Sequence, residues 1–242
     1  MAATMRTDVG RRRRQNEDAA WFDEGRGVFA VADGMGGHRA GEVASAMAIH
    51  AVRQMADTHR TADIGALREA VEKAHEAILA HAQSHAECKG MGTTLSVMWR
   101  GRGYMYIAHV GDSRIYRLRE GKLEQITQDH SLVDELVRAG LITLQEARRH
   151  PRRNIITRAL GTQGDNAPDL LAADIRPGDR WLLCTEGLSS LVEDESIGHA
   201  LETCGLEEAA DRLLAMALDA GGTDNVTLIL CTGEEGEAWN QD

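Results

Sequence analysis

Aromatic residues are scarce in this sequence: they make up 4% of 242 residues, although hydrophobic residues reach 43%. That supply is ample for the core of one large domain, or at most two small ones, built mainly from Ala, Val, Leu, Ile and Met. The sequence contains neither an internal repeat nor a low-complexity linker. We therefore expect a single domain over residues 1–242.

The sequence also lacks an excess of positively charged residues over negatively charged ones. The formal net charge is -11, whereas nucleic-acid binding requires a basic surface. The same charge argues against docking on anionic lipid. No apolar run approaches the roughly 20 residues of a membrane helix, and the N-terminal segment lacks an apolar signal region. The sequence therefore predicts a soluble protein with no direct membrane insertion.

The sequence also lacks closely spaced cysteine pairs. The four cysteines are scattered, and no two form a Cys-x-x-Cys pair. Cys184 and Cys231 lie within apolar runs, as small core residues do. This pattern favours a reduced, cytoplasmic protein.

Apolar residues recur at helical spacing in two stretches, 42–56 and about 64–86, which predicts two consecutive helices. Two hairpins follow, one turning at 101–103 and the other at Glu120 and Gly121. For the first helix we expect a buried face formed by Val43, Ala46, Met47, Ile49 and Val52.

The complete order of predicted elements is strands, two helices, many strands, two helices and a strand. Such runs predict segregated layers, with sheets inside and helices outside, rather than regular βαβ winding. The segment from about 150 to 168 is irregular, and loops of that length are usually functional or mobile. The remaining strands are predicted near 18–23, 28–32, 170–175, 180–185 and 225–232, and the remaining helices near 131–149 (interrupted at Gly140), 193–203 and 206–219.

Acidic residues recur at the predicted strand ends. Any one of them alone is typical of a turn. Four carboxylates at neighbouring strand ends would repel one another unless cations bridged them, and hard oxygen ligands suit Mg²⁺ or Mn²⁺ rather than zinc. The four stretches are "VFAVADGMGG" with Asp33, "HVGDSRIY" with Asp112, "WLLCTEGLSS" with Glu186 and "GGTDNVTLIL" with Asp224.

The stretch "RRRRQNEDAA" places four arginines just before Glu17 and Asp18. A run of arginines is ordinarily a solvated patch. Arginine is also the side chain that clamps phosphate in a bidentate manner. A metal centre beside an arginine is typical of a phosphoryl-transfer site.

With these motifs, the sequence resembles the bacterial metal-dependent protein phosphatases of the type 2C (PPM) family over nearly its whole length. The fold that this resemblance implies is α+β: a four-layer α-β-β-α sandwich, in which a central antiparallel β-sandwich is flanked by helix pairs. The matching blocks, in the family's order, are "GRRRRQNEDA", "VADGMGGHRAGEVAS", "MGTTLSV", "AHVGDSRIYRLREGKLEQITQDHS", "RNIITRALG" and "GGTDNVTLIL".

The resemblance implies a metal centre of two core ions, Mn²⁺ or Mg²⁺, with a third and weaker ion in bacterial members. Asp33 would bridge the two core ions, and the backbone carbonyl of Gly34 would bind one of them. Asp224 would hold the other together with Glu186. Asp112, again with Glu186, would hold the third.

Further residues complete the implied site. Arg13 would bind phosphate, and Glu17 would act through metal-bound water. Asp18 would support the site by hydrogen bonds, and Asn225 would steady the loop around Asp224. The implied reaction is direct attack of a metal-bridging water on phosphorus, without a phosphoenzyme.

The implied function is a phosphoserine/phosphothreonine protein phosphatase, acting as a monomer on the phosphoproteins of a bacterial Ser/Thr kinase. Residues 140–168 resemble the family's flap beside the active site, where Arg152, Arg153 and Arg158 would help to hold a phosphopeptide. One alternative is a regulatory phosphatase that acts on a sigma-factor antagonist.

Two positions depart from the family pattern. Members usually carry Ser-Asp-Gly where this chain has Thr185, Glu186 and Gly187. Glu186 either still ligates metal or crowds the centre, and the second outcome would make the chain a pseudophosphatase that only binds phosphoproteins. Animal relatives have a histidine, thought to be the general acid, where this chain has Met35; His38 either takes that catalytic role or only shapes the turn.

Several histidines offer other interpretations. His81, His85 and Cys88 share helical spacing, but no HExxH pattern and no second ligand cluster accompany them, so a polar helix surface is favoured over zinc. For His109 and His130 we expect structural, hydrogen-bonded roles.

Overall fold

The computed structural model describes residues 1–36, 40–164 and 166–233. Within these residues, two antiparallel β-sheets pack face to face. The first sheet has the order β1 (Ala3–Asp8), β11 (Val226–Thr232), β10 (Arg180–Cys184), β7 (Arg114–Arg119) and β8 (Lys122–Gln125). The second has the order β2 (Asp18–Asp23), β3 (Val28–Met35), β5 (Leu95–Arg100), β6 (Tyr104–Val110) and β9 (Asp169–Asp174), with β4 (Gly92–Thr93) paired to β3.

Helices cover the outer faces of both sheets. α1 (Gly41–Thr58) and α2 (Ile64–Ser84) pack on the second sheet, and α6 (Asp194–Thr203) and α7 (Leu206–Asp219) pack on the first. This confirms the four-layer α-β-β-α sandwich. The remaining described elements are three short α-helices, α3 (Leu132–Arg138), α4 (Leu144–Arg149) and α5 (Glu186–Ser189), and one 3-10 helix, Ala86–Cys88.

The central strands are apolar on both faces because each face has a layer to pack against. In β3, Phe29 and Val31 point into the core between the sheets. Their neighbours Val28, Ala30 and Ala32 point towards α1 and α2. Successive side chains of a strand alternate between its two faces, so one apolar run fills two cores.

The predicted buried face of α1 is partly wrong. In α1, Ile49 and Val52 are buried as expected, whereas Ala46 is exposed. The buried stripe passes through Ala44 and Ala48 instead. The periodicity alone did not fix the rotation of this helix because alanine marks both its buried and its exposed sides.

Residues 140–168, the flap segment, have little core of their own. The adjoining α3 buries no residue, and α4 buries Ala147 alone. Backbone hydrogen bonds hold the segment to the sandwich: Leu132 N–H donates to the Ile155 carbonyl at 2.9 Å, and Thr157 N–H donates to the His130 carbonyl at 2.8 Å. Nowhere in the described part of the chain is there a helix with both the length and the apolar character needed to cross a membrane.

Candidate metal centre

The centre begins with an acidic pair on neighbouring strands. Asp18, the first residue of β2, lies directly opposite Asp33 of β3. Directly opposed residues of an antiparallel pair share a face, and like charges there repel. Thr185 Oγ1 donates to Asp18 Oδ2 at 2.8 Å, whereas Asp18 Oδ1 is buried with no hydrogen-bond partner.

Asp33 lies at the point where acids from four other chain segments converge. Burial, and then the charges of its neighbours, raises the pKa of the Asp33 carboxyl well above its usual value. One buried carboxylate among several others is unfavourable unless a proton or a cation accompanies it. The acids acting on Asp33 are Asp18, Asp112, Asp224 and Glu186.

Asp112 reaches the centre from the loop that follows β6. It is buried, and its Oδ1 has no hydrogen-bond partner. Burial, and then the charges of Glu186 and Asp129, raises the pKa of Asp112 to about 8. Gly111 fits here because its φ is +112° and a side chain would overlap Thr94. Glycine is therefore required directly before Asp112.

Glu186 is the first residue of α5 and follows β10 by one residue. Burial and the charge of Asp224 raise the pKa of its carboxyl, while the nearby Arg153 lowers it. The Glu186 carboxyl therefore interacts electrostatically with Asp224 across the acidic cluster. The next residue, Gly187, has no room for a side chain because a Cβ would overlap the backbone of Asn225.

Asp224 and Asn225 precede β11 and organise the arginine-rich loop. Asp224 Oδ2 accepts a hydrogen bond from Arg13 Nη2 at 2.8 Å, and its Oδ1 accepts one from the Asn225 N–H at 2.8 Å. The Asn225 side chain donates to the carbonyls of Val9 and Gln15 at 2.9 and 3.0 Å. Its Oδ1 accepts from the Glu17 N–H at 2.8 Å. One amide therefore fixes the loop that carries Arg13.

Glu17 and Gly34 meet where β3 turns towards α1. Gly34 N–H donates to the Glu17 carbonyl at 3.2 Å, and Ser45 Oγ donates to the same oxygen at 2.6 Å. A Cβ on Gly34 would overlap the carbonyl oxygens of Glu17 and Gly41. Glycine is required at position 34 by this close backbone approach, whatever else its carbonyl binds.

Sequence reasoning did not identify two further acids. Asp129 accepts hydrogen bonds from Arg114 Nε and Nη2 at 2.9 and 2.7 Å, and it adds negative charge beside Asp112. Burial, and then the charge of Glu42, raises the pKa of the Glu17 carboxyl. Glu42 Oε2 is itself buried and has no hydrogen-bond partner. Neither acid lies at a strand end, so the signal that marked the other four was missing.

Four of the histidines considered in the sequence analysis contact other groups of the protein. His109 bonds with Ser96 Oγ at 2.8 Å and with the Gln128 carbonyl at 3.0 Å. His130 Nδ1 accepts from the Gly111 N–H at 3.1 Å and so supports the loop of Asp112. The rings of His81 and His85 are stacked, with centroids 4.0 Å apart. His38 lies outside the described residues.

The donor set fits a divalent cation. Among the described residues, no three acidic, histidine or cysteine side chains lie close enough together to hold a metal ion as they stand. Even so, Asp18 and Asp112 each keep a buried oxygen without a donor, and the carboxylates repel one another. A hard divalent ion removes both penalties, and carboxylate oxygens are the ligands that Mg²⁺ and Mn²⁺ prefer.

Comparison with known proteins gives a consistent result. The family model for protein phosphatase 2C matches residues 10–219. The chain is 44% identical over 226 residues to the serine/threonine protein phosphatase PstP of Mycobacterium tuberculosis, covering 93% of this chain and 43% of that relative. It therefore spans less than half the length of that protein.

Two further matches cover nearly the full length of both compared chains. The serine/threonine phosphatase stp of Listeria welshimeri is 40% identical over 242 residues, with 95% of each chain covered. The crystal structure of the catalytic domain of PstP in complex with two manganese ions superposes with a TM-score of 0.87 at 40% identity, covering 95% of this chain and 96% of that one. The chain belongs to the protein phosphatase 2C family, the bacterial PPM type that its sequence motifs resemble.

Proposed function

We propose that this chain is a metal-dependent phosphoserine/phosphothreonine protein phosphatase. The observation that carries the proposal is the convergence of Asp18, Asp112, Asp224 and Glu186 on Asp33, with Arg13 at its edge. The names of the relatives and the two manganese ions of one solved structure support the same reaction.

The metal ligands that we propose are the carboxylates of Asp33, Asp224 and Glu186 and the backbone carbonyl of Gly34. Asp112 would hold a third ion. Bound divalent cations supply Lewis-acid polarisation of the phosphoryl group and lower the pKa of a coordinated water. Whether Mn²⁺ or Mg²⁺ is used, the oxygen donor set is the same.

The protein's own groups bind and orient the substrate. Arg13 extends from a loop fixed by Asn225, so its guanidinium is placed to receive a phosphoryl group in the bidentate manner that arginine favours. Asp18, which lies opposite Asp33 and accepts a hydrogen bond from Thr185, would support the site. Glu17 would act through water. For the proton that the leaving serine or threonine oxygen requires, His38 is our candidate.

We further propose that the chain is a single catalytic domain over residues 1–242 and acts as a cytoplasmic monomer. All four cysteines are free and buried, which supports a reducing compartment. The substrates would be phosphoproteins made by a bacterial Ser/Thr kinase. The pseudophosphatase alternative is not favoured, because Glu186 lies among the other acids and its relatives are named as phosphatases.

Hydrolysis of p-nitrophenyl phosphate and of a phosphoserine peptide, with Mn²⁺ and with EDTA, tests this proposal. We expect turnover with Mn²⁺ alone, and its loss in Asp33→Asn and Asp224→Asn. Asp57→Asn is the matched control. Asp57 is exposed and lies near the C-terminal end of α1, whereas Gly41 begins that helix. Absence of turnover with well-folded protein, while phosphopeptide still binds, would favour the pseudophosphatase.

A further inference from the structure

The flap segment carries positive charge in a protein that is otherwise acidic. Residues 140–158 contain five arginines and a single acid, Glu146, whereas the whole chain has a net charge of -11. Two of these arginines are neutralised: Arg148 pairs with Glu193, and Arg158 pairs with Asp169 at 3.0 Å. The other three are Arg149, Arg152 and Arg153.

These three residues, the arginine patch, are exposed. Their side chains make no hydrogen bond or ion pair with any part of the chain that the structure describes. Three unpaired arginines within five residues therefore leave a local positive surface available for a partner.

The backbone places this patch beside the acidic centre. Gly111, next to Asp112, exchanges hydrogen bonds with His130: His130 N–H donates to the Gly111 carbonyl at 2.7 Å, and Gly111 N–H donates to His130 Nδ1 at 3.1 Å. His130 in turn accepts from Thr157 N–H at 2.8 Å. Arg153 precedes this contact by four residues, and its charge acts on Glu186.

The turn that carries the patch is fixed by its own hydrogen bonds. Arg152 N–H donates to His150 Nδ1 at 3.2 Å, and Arg153 N–H donates to the His150 carbonyl at 3.1 Å. Ile155 N–H donates to the Arg152 carbonyl at 3.2 Å. The backbone is therefore held while the guanidinium groups project from it. A pre-formed backbone lowers the entropic cost of binding a charged partner.

The flap segment also exposes apolar side chains that the fold does not use. Leu141, Leu144 and Ile155 are 69%, 71% and 45% exposed, and they are three of the four large exposed apolar residues among those described. The segment therefore presents its side chains outward, and its surface is available for contact with another polypeptide.

We propose that the arginine patch selects phosphoproteins in which acidic residues flank the phosphorylated serine or threonine. This inference rests on the proposed function, since it assigns the substrate class of the same site. The occupant is an acidic polypeptide because three unpaired guanidinium groups complement carboxylates, and because the charge of Arg153 acts on Glu186, a residue of the proposed metal centre. The chain's net charge of -11 disfavours such a substrate, so a preference for it must come from local positive charge.

Two phosphoserine peptides test the selection. One carries three glutamates on each side of the phosphoserine, and the other carries glutamines at the same positions. For the wild-type protein with Mn²⁺ we expect kcat/KM to be about three- to tenfold higher for the glutamate peptide, the effect of two or three exposed ion pairs. The preference should shrink as salt rises to about 0.5 M.

Charge reversal separates recognition from structure. In the double variant Arg152→Glu/Arg153→Glu, the preference for the glutamate peptide should be lost, and a third peptide with lysines at the same positions should become the better substrate. Arg102→Glu is the matched control: Arg102 is exposed in the turn before β6, at the end of that strand opposite to Gly111. That variant should keep the wild-type ratio.

Binding measured without catalysis keeps the two proposals distinguishable. Fluorescence anisotropy of the labelled peptides in EDTA gives a Kd ratio that needs no turnover, and a ratio that favours glutamate supports selection. Equal kcat/KM for both peptides in the wild-type protein overturns the selection and leaves the phosphatase proposal standing. If neither peptide is hydrolysed and the Kd values are equal, both proposals fail. If the wild-type protein self-associates and the double variant does not, the arginine patch binds a second copy of the chain. That result also overturns the proposed substrate selection.

Discussion

Arg13 and Asp224 form an ion pair, with Nη2 of the arginine 2.8 Å from Oδ2 of the aspartate. The proposed phosphate ligand is thus bound to a proposed metal ligand. The arginine is half-exposed, with 51% of its side chain accessible, and the aspartate is more buried at 29%. The contact uses Nη2 of the guanidinium, and its other N–H groups can face phosphate while Asp224 is held, so this ion pair connects the phosphate ligand to the metal centre.

Arg13→Gln separates these roles. The variant loses the charged donor for phosphate, so we expect kcat/KM for p-nitrophenyl phosphate to fall on the order of 10²-fold. It also releases Asp224, so the Kd for Mn²⁺ measured by calorimetry should be unchanged or lower. Arg14→Gln, an exposed neighbour, should match the wild-type protein in both measurements. Weaker Mn²⁺ binding in Arg13→Gln would show that the arginine supports the metal site instead.

The pH dependence of the metal-free protein follows from the buried carboxyls. Burial, then Glu186 and Asp129, raises the pKa of Asp112 to about 8, and burial raises that of Asp18 to about 6. An unfolded aspartate releases its proton near pH 4, so the folded state holds more protons from about pH 4 to 8. Stability contributed by these groups is therefore lost as pH rises through that window.

In EDTA we expect the thermal midpoint to be lower at pH 8.5 than at pH 5.5, by about 5 °C. Asp112→Asn, which cannot ionise, should show a shallower dependence. Mn²⁺ should raise the midpoint most at pH 8.5, where the carboxylates are already deprotonated. Differential scanning calorimetry provides the comparison, and a midpoint that rises with pH in EDTA would contradict the argument.

Local sequence patterns were sufficient for much of the fold. The turn at Glu120 and Gly121 was predicted from its composition, and both residues have positive φ, 50° and 75°. Strand β1 was not predicted. It carries two apolar residues, Ala3 and Met5, and it is ordered by pairing with β11 more than 200 residues away. A pairing so distant leaves no trace in the local pattern.

The metal centre shows the same difference between residues marked by a local sequence pattern and contacts that form only in the folded chain. Asp33, Asp112, Glu186 and Asp224 could be predicted to converge because each accompanies an apolar strand and a glycine or small residue. The Arg114–Asp129 ion pair could not, since it joins β7 to a loop beyond β8. The contacts of Asn225 with Val9 and Gln15 also depend on the completed fold.

Glu186→Asp asks whether the longer side chain is necessary. The carboxylate already lies in the acidic cluster, and the shorter residue is the one usual in the family, so we expect activity equal to or above that of the wild-type protein. Glu186→Gln, which removes the charge, should lose activity on the order of 10²-fold. Steady-state kinetics across a Mn²⁺ titration gives both values. A large loss in Glu186→Asp would mean that the extra methylene is tuned to this backbone.

Gly187→Ala tests whether the centre depends on the close approach of α5 to β11. A Cβ at residue 187 would overlap the carbonyl oxygen of Asn225, the residue that fixes the arginine loop. Overpacking a rigid backbone contact should lower the free energy of unfolding in urea by about 3 kcal/mol, and it should weaken Mn²⁺ binding. Gly205→Ala is the control, because nothing lies within 4 Å of its Cβ position and its φ of -63 is ordinary. That control should change stability by less than about 1 kcal/mol. Equal stability of the two variants would show that the backbone yields at this contact and that glycine is not required there.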